Sequence, residues 1–358
     1  MQRRQFQIAL AALLAGRSAS SMATEFAPVL PGRRLVFPAD HGAHPLFRTE
    51  WWYVTGWLST PDGAAMGFQC TFFRVRSGIG EDNASAFAPR QLLMAHAAIA
   101  DPKLGRLRHD QRVARVGFGR AGFATERTGV WLGDWRLEQD GDTYRAVVQA
   151  KDFSYALALL APGPPLLNGV AGFSAKAPDA VHASHYYSRA QLAVRGSVTL
   201  ARRQSPVTGR AWLDHEWSSA LMPAQAQGWD WLGLNLDDGS ALMAFRMRGL
   251  QGPPIWSAAT LSAATGQARG LLGDEVLFEP LRHWTSPRTA IRYPVQWALR
   301  IGSRRLQLLA LFDDQELDSR LSTGAVYWEG AVRVLEGGSE IGRGYLELTG
   351  YGEKIQLG

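Results

Sequence analysis

Cysteine is nearly missing from this chain: Cys70 stands alone among 358 residues, so no internal disulfide can form. It lies in an apolar, strand-like run from Gly67 to Phe73, where a buried, inert thiol is expected. Helical periodicity is also scarce outside the first residues. The apolar run Ile8 to Ala15 is too short to cross a bilayer as a helix. No G-x-S-x-G elbow, phosphate loop or dinucleotide fingerprint occurs, which argues against serine acyl hydrolysis and nucleotide use. The pair His215-Glu216 is not part of a helical H-E-x-x-H zinc pattern.

Acids are absent from residues 1–23, where Arg3-Arg4-Gln5-Phe6 precedes the apolar run and small residues lead to Ala23. A basic start, a short apolar stretch and a small-residue end make a signal peptide, and the paired arginines suggest twin-arginine export. The mature protein is therefore expected to be periplasmic or secreted. Loss of Arg3, Arg4 and Arg17 takes the formal charge from +6 to +3. So small a charge, with scattered arginines, is no nucleic-acid footprint.

What the chain has in abundance is short aromatic and β-branched runs separated by Gly, Pro and Asp-Gly pairs. Examples are Trp51 to Leu58, Ala65 to Val75, Thr143 to Ala150 and Tyr327 to Val334. Many such runs predict antiparallel β-barrels or sandwiches. An internal echo suggests two related halves. Glu50-Trp51-Trp52-Tyr53 leads through Asp62-Gly63 to Phe73-Arg74, and Trp229-Asp230-Trp231 leads through Asp238-Gly239 to Phe245-Arg246. A boundary near Met222-Pro223 divides residues 24–222 from residues 223–358.

Three clusters could carry chemistry. In Ala211-Trp212-Leu213-Asp214-His215-Glu216-Trp217 a strand puts Trp212, Asp214 and Glu216 on one face and Leu213, His215 and Trp217 on the other. Two carboxyls beside an indole are poorly placed for ionisation, which suits proton transfer. Asp214 or Glu216 would be the acid, His215 an orienter or relay, and Trp212 a π wall. The competing reading is an ion pair with Arg210 or Arg189. The second cluster is His41, His44 and Glu50 with Trp52 and Tyr53; Glu50 either holds water as a base or caps a rim, and the indoles pack a core. The third is His185 and Tyr187, joined by His96 from an apolar run; each is a candidate ligand contact or a satisfied buried polar group. A metal is not expected, since His41 and His44 have no acid at an evident spacing.

Taken together, His41-Gly42-Ala43-His44-Pro45, Glu50-Trp51-Trp52-Tyr53-Val54-Thr55-Gly56, His185-Tyr186-Tyr187-Ser188, Trp212 to Trp217, Tyr327-Trp328-Glu329-Gly330-Ala331 and Gly344 to Tyr351 resemble the AttH/CrtC-type family. That family includes secreted predicted hydrolases and the carotenoid 1,2-hydratases (hydroxyneurosporene synthases). The resemblance runs from about residue 33 to 351. It implies an all-β fold of two lipocalin-like (calycin-type) antiparallel β-barrels packed together, with a ligand cavity in or between them. It also implies pairing with a membrane export system of the ABC type. From the hydratases it carries an alkene-protonating role to Asp214. Hydration of an isoprenoid C=C needs an acid, π faces for a tertiary carbocation, a dry hollow and a held water. Asp214, Trp212, Glu50, His215 and Tyr187 would supply these, Glu216, Trp52, Tyr53, His96, His185 and Trp217 lining the site, with no organic cofactor or metal. A non-catalytic carrier of a hydrophobic small molecule and a metal-assisted hydrolase are the alternatives.

Overall fold

The computed structural model describes residues 25–355, so the expected signal peptide lies outside the described residues. Strands dominate; among the described residues there is no α-helix, only three short 3-10 turns. Two antiparallel sheets account for them, one of 13 strands from Thr49 to Ala220 and one of ten from Ala226 to Leu348. The chain passes from one to the other between Ala220 and Ala226.

Both sheets are curled, and each begins with a hairpin whose first strand is also paired by the sheet's last strand. In the first, Thr49–Ser59 lies between Ala65–Arg76 and Arg203–Ala220. In the second, Ala226–Leu236 lies between Ala241–Gly249 and Ser339–Leu348. The repeat extends to an ion pair: Glu50 opposes Arg74 and bonds its Nε at 2.9 Å, and Asp230 opposes Arg246 and bonds its Nε at 2.5 Å. Curling brings Arg112, near one end of the first sheet, to the Leu132 carbonyl near the other at 3.2 Å. This is the lipocalin-like double architecture expected from the sequence.

Burial follows from what covers each face. Thr143–Gln149 and Phe153–Leu160 alternate inward and outward along their length, because water meets their outer face. Arg203–Ala220 changes character midway: its first half is largely exposed, whereas residues 211–218 are buried on both faces. There the second sheet covers the first.

The curled first sheet is filled by its own side chains, among them Trp52, Phe68, Phe72, Trp135 and Tyr144. Cys70 belongs to this core as a free thiol, and burial pushes its pKa up to about 12. The second sheet closes over Leu232, Trp297 and Trp328. A third apolar layer joins the sheets, with Tyr53, Trp57 and Trp212 meeting Trp231, Phe245 and Tyr345. Gly67 makes this docking possible. A side chain there would drive into the Tyr345 hydroxyl and come within 2.8 Å of the Ala331 Cβ.

Candidate active site between the two sheets

A cavity of about 340 Å³ lies between the sheets rather than inside either one. Its apolar lining includes Trp51, Phe73, Met94, Trp229, Phe245 and Met247. Set into it are Asp214, Glu216 and Lys176 from the first sheet's side and Glu347 from the second. The strand periodicity holds: Trp212, Asp214 and Glu216 face the second sheet, and Leu213 and His215 point into the first.

Asp214 is nearly fully buried and meets no guanidinium. Ser188 Oγ (2.5 Å) and Trp212 Nε1 (2.6 Å) donate to its Oδ1, and the Tyr186 hydroxyl (2.6 Å) donates to Oδ2. Those donors are themselves held, Ser188 by Asn168 Nδ2 (2.7 Å) and Tyr186 by Trp231 Nε1 (3.0 Å). Burial outweighs the three hydrogen bonds and raises the Asp214 pKa to about 7. The expected arginine pairs form elsewhere: Arg210 lies 3.4 Å from Asp237 and Arg189 lies 3.9 Å from Asp142.

Glu216 is paired, but with lysine. Lys176 Nζ lies 2.7 Å from Glu216 Oε1 and Ser184 donates to the same oxygen. The ammonium also sits 4.3 Å from the Phe245 ring centroid. An acid so fixed helps shape the wall.

The second sheet contributes two acids that sequence reasoning passed over. Glu329 and Glu347 are directly opposed across their strand pair. Glu329 is buried; its Oε2 accepts from Gln69 Nε2 at 3.1 Å, its Oε1 has no partner, and the hydroxyls of Tyr53 and Tyr327 stand beside it. Burial and the neighbouring carboxyl hold Glu329 far above the usual carboxylate range. Burial raises Glu347 to about 8, with Asp214 and Glu216 adding repulsion from across the cavity. The signal was in view: Glu329 lies in the run Tyr327 to Val334 and Glu347 in the stretch Gly344 to Tyr351, each as an isolated acid.

Three candidates lose their assigned part. Glu50 is no water-holding base. Its oxygens take up Arg74 Nε (2.9 Å), the His44 backbone N–H (2.9 Å), His44 Nδ1 (2.8 Å) and His215 Nε2 (2.9 Å). Despite burial these partners hold its pKa well below normal, so it stays ionised. His215 cannot orient Asp214, because the pleat turns it the other way, onto Glu50 and the Tyr187 hydroxyl (3.1 Å). Trp212 fixes Asp214 through its N–H, while its ring borders a smaller hollow with Trp57 and Tyr345.

Trp52, Trp217, His185 and Tyr187 surround that same buried network and do not line the cavity. Trp52 stacks on His215, Trp217 stacks on His44 at 3.6 Å, His185 packs edge-on to Phe47, and Tyr187 bonds His41 Nδ1 at 2.9 Å. Tyr53 and His96 do line it. His96 ties the sheets together, with Nδ1 2.8 Å from the Tyr327 hydroxyl and Nε2 2.8 Å from Ser322 Oγ. Burial lowers its pKa to about 3, so it is a neutral fixture.

The donors best grouped to hold a metal are His44 Nδ1, Glu50 Oε1 and His215 Nε2. Here the acid missing at a sequence spacing is Glu50, supplied by the fold. Arg74 already occupies Glu50 Oε2, and Asp40 lies 3.0 Å from the second nitrogen of His44. Those contacts favour protons over a cation in this cluster.

Solved structures share the whole architecture. A crystal structure of an AttH protein from Nitrosomonas europaea is 50% identical with a TM-score of 0.86, covering 91% of this chain and 100% of that one. Kievitone hydratase from Nectria haematococca is 14% identical with a TM-score of 0.68, covering 91% and 96%. CghA is 15% identical at 0.52, covering 93% and 97%. At those lower identities the likeness concerns the fold alone. No curated protein matches the chain. The AttH-like family model spans residues 28–351, and with the N. europaea structure it establishes that this chain belongs to the AttH-like family.

Proposed function

We propose that the protein is an acid–base enzyme that adds water to a carbon–carbon double bond of an apolar, isoprenoid-type ligand held between the two sheets. The observation that carries this reading is the placement of Asp214 and Glu347 on opposite walls of one apolar cavity, each carboxyl shifted towards neutrality. Hydration needs one group that gives a proton to carbon and another that takes one from water.

The surroundings divide these parts. Three donors converge on Asp214 and stabilise its anion, so Asp214 is the better proton acceptor. Burial raises Glu347 to about 8, with Asp214 and Glu216 adding to the rise, so it keeps its proton and is the better donor. This reverses the role expected for Asp214 from the family resemblance. Trp51, Trp229 and Phe245 offer π faces to a developing carbocation. The volume is at the small end of ligand sites and suits one prenyl terminus rather than a complete carotenoid. The hydratase name of one distant relative favours the same reaction class. With a leader on residues 1–23 the reaction would take place outside the cytoplasm.

The test is incubation with a total isoprenoid and lipid extract in ¹⁸O-labelled water, followed by mass spectrometry. One component should gain labelled water with the wild type and not with Asp214→Asn. Equal labelling by both would remove Asp214 from the chemistry. An intact hydrophobe co-purifying with both proteins, with no labelled product, would favour the carrier.

A further inference from the structure

The cavity face of the first sheet does not stop at the cavity. Register across five strands aligns Glu216, Trp51, Phe73, Met94 and Val113 in one row. All are on the same face, because directly opposed residues on neighbouring strands point the same way. The row runs from the acidic wall, through three cavity-lining side chains, to Val113 on the edge strand Arg108–Arg115, which is exposed. A parallel row ends Val75, Leu92, Arg115. The Arg115 guanidinium lies 4.7 Å from the Phe87 ring centroid and 5.6 Å from that of Phe118. Those two rings are 5.0 Å apart and both are exposed. An apolar track thus leads from the acids to an exposed rim of Val113, Phe87 and Phe118.

The rim's charge is mostly of one sign. Arg115 packs on both rings and donates to the Phe87 carbonyl. Arg90 follows Phe87 by three residues and donates to the Gly80 carbonyl of the same loop, and the exposed Arg120 follows Phe118 by two. Glu81 is neutralised by Arg76 at 2.9 Å, which leaves Asp82 as the unpaired acid of the adjoining loop. Exposed aromatic rings flanked by arginines are what an anionic bilayer surface accepts: rings enter the headgroup layer and guanidinium groups meet lipid phosphates. An apolar molecule dissolved in that bilayer would meet the track without crossing water.

We propose that Phe87, Phe118 and Val113, with Arg90, Arg115 and Arg120, form a docking surface for an anionic membrane, through which an apolar molecule reaches the cavity. The surface is independent of whichever reaction the acids perform.

Co-sedimentation of the full chain with phosphatidylglycerol and phosphatidylcholine vesicles tests it. The wild type should bind the anionic vesicles and lose most binding on phosphatidylcholine. Phe87→Ser/Phe118→Ser should weaken anionic-vesicle binding about tenfold, and Arg115→Glu should do likewise. Leu160→Ser, an exposed apolar change off this rim, should have no effect. Residues 1–24 are common to all these proteins, so a difference reports the rim. Unchanged binding by the double variant, or equal binding to both lipids, would overturn the proposal. So would a concentration-dependent dimer that the double variant abolishes, since the rim would then cover a second copy.

Discussion

Glu347 stands directly opposite Glu329 across the strand pair that closes the second sheet, with no cation between them. Burial makes each keep its proton above the usual range; the charge of Glu347 adds to the rise at Glu329, and those of Asp214 and Glu216 add to the rise at Glu347. Unfolding releases that constraint, so the unfolded chain loses these protons first. Stability should therefore fall as pH rises from about 4.5, the ordinary value, to about 8, where Glu347 titrates. The slope is at most about 1.4 kcal/mol per pH unit for each group. Melting curves from pH 4 to 9 would show it, and Glu329→Gln should flatten it. A slope unchanged in that variant would assign it to other groups.

Turnover should trace a narrow bell. Asp214 must be ionised, so activity rises through about pH 7, and Glu347 must be protonated, so it falls through about pH 8. Asp214→Asn should lower the rate by about 100-fold or more at every pH. A variant that merely shifted the bell would contradict a direct role.

Arg74→Met should destabilise the fold by about 3–5 kcal/mol, because it leaves the buried Glu50 carboxylate without its fixed cation. Urea unfolding measures this. The Phe87–Phe118 rim does not include Arg74, so vesicle binding should persist while the chain stays folded.

Gly67→Val should push the two sheets apart where Tyr345 and Ala331 close over it. A cost of about 1–3 kcal/mol is expected, with loss of any bound hydrophobe. Full stability and unchanged ligand retention would mean that the sheets tolerate a gap there.

Much of the fold was legible along the chain. Alternation and Asp-Gly turns marked the hairpins, and the echo between residues 50–74 and 229–246 proved to be structural, down to the Glu50–Arg74 and Asp230–Arg246 pairs. The face shared by Trp212, Asp214 and Glu216 was legible for the same reason, since a strand has period two. The partners of that face were not. Tyr186 and Ser188 oppose Glu216 and Asp214, whereas His185 and Tyr187, the residues with more familiar chemistry, point away. Choosing between them requires the register, which two separate stretches of sequence do not state.

The amino-acid order alone determined the strands, their alternating faces and the placing of acids in apolar runs, because these depend on neighbours a few residues apart. Tertiary structure decided which acids keep their protons. Glu50 met Arg74 and two histidines and became a fixed anion; Asp214 and Glu347 met apolar walls and the charge of Glu216. Ionisation follows solvation and nearby charge, and both are set only when the second sheet closes over the first.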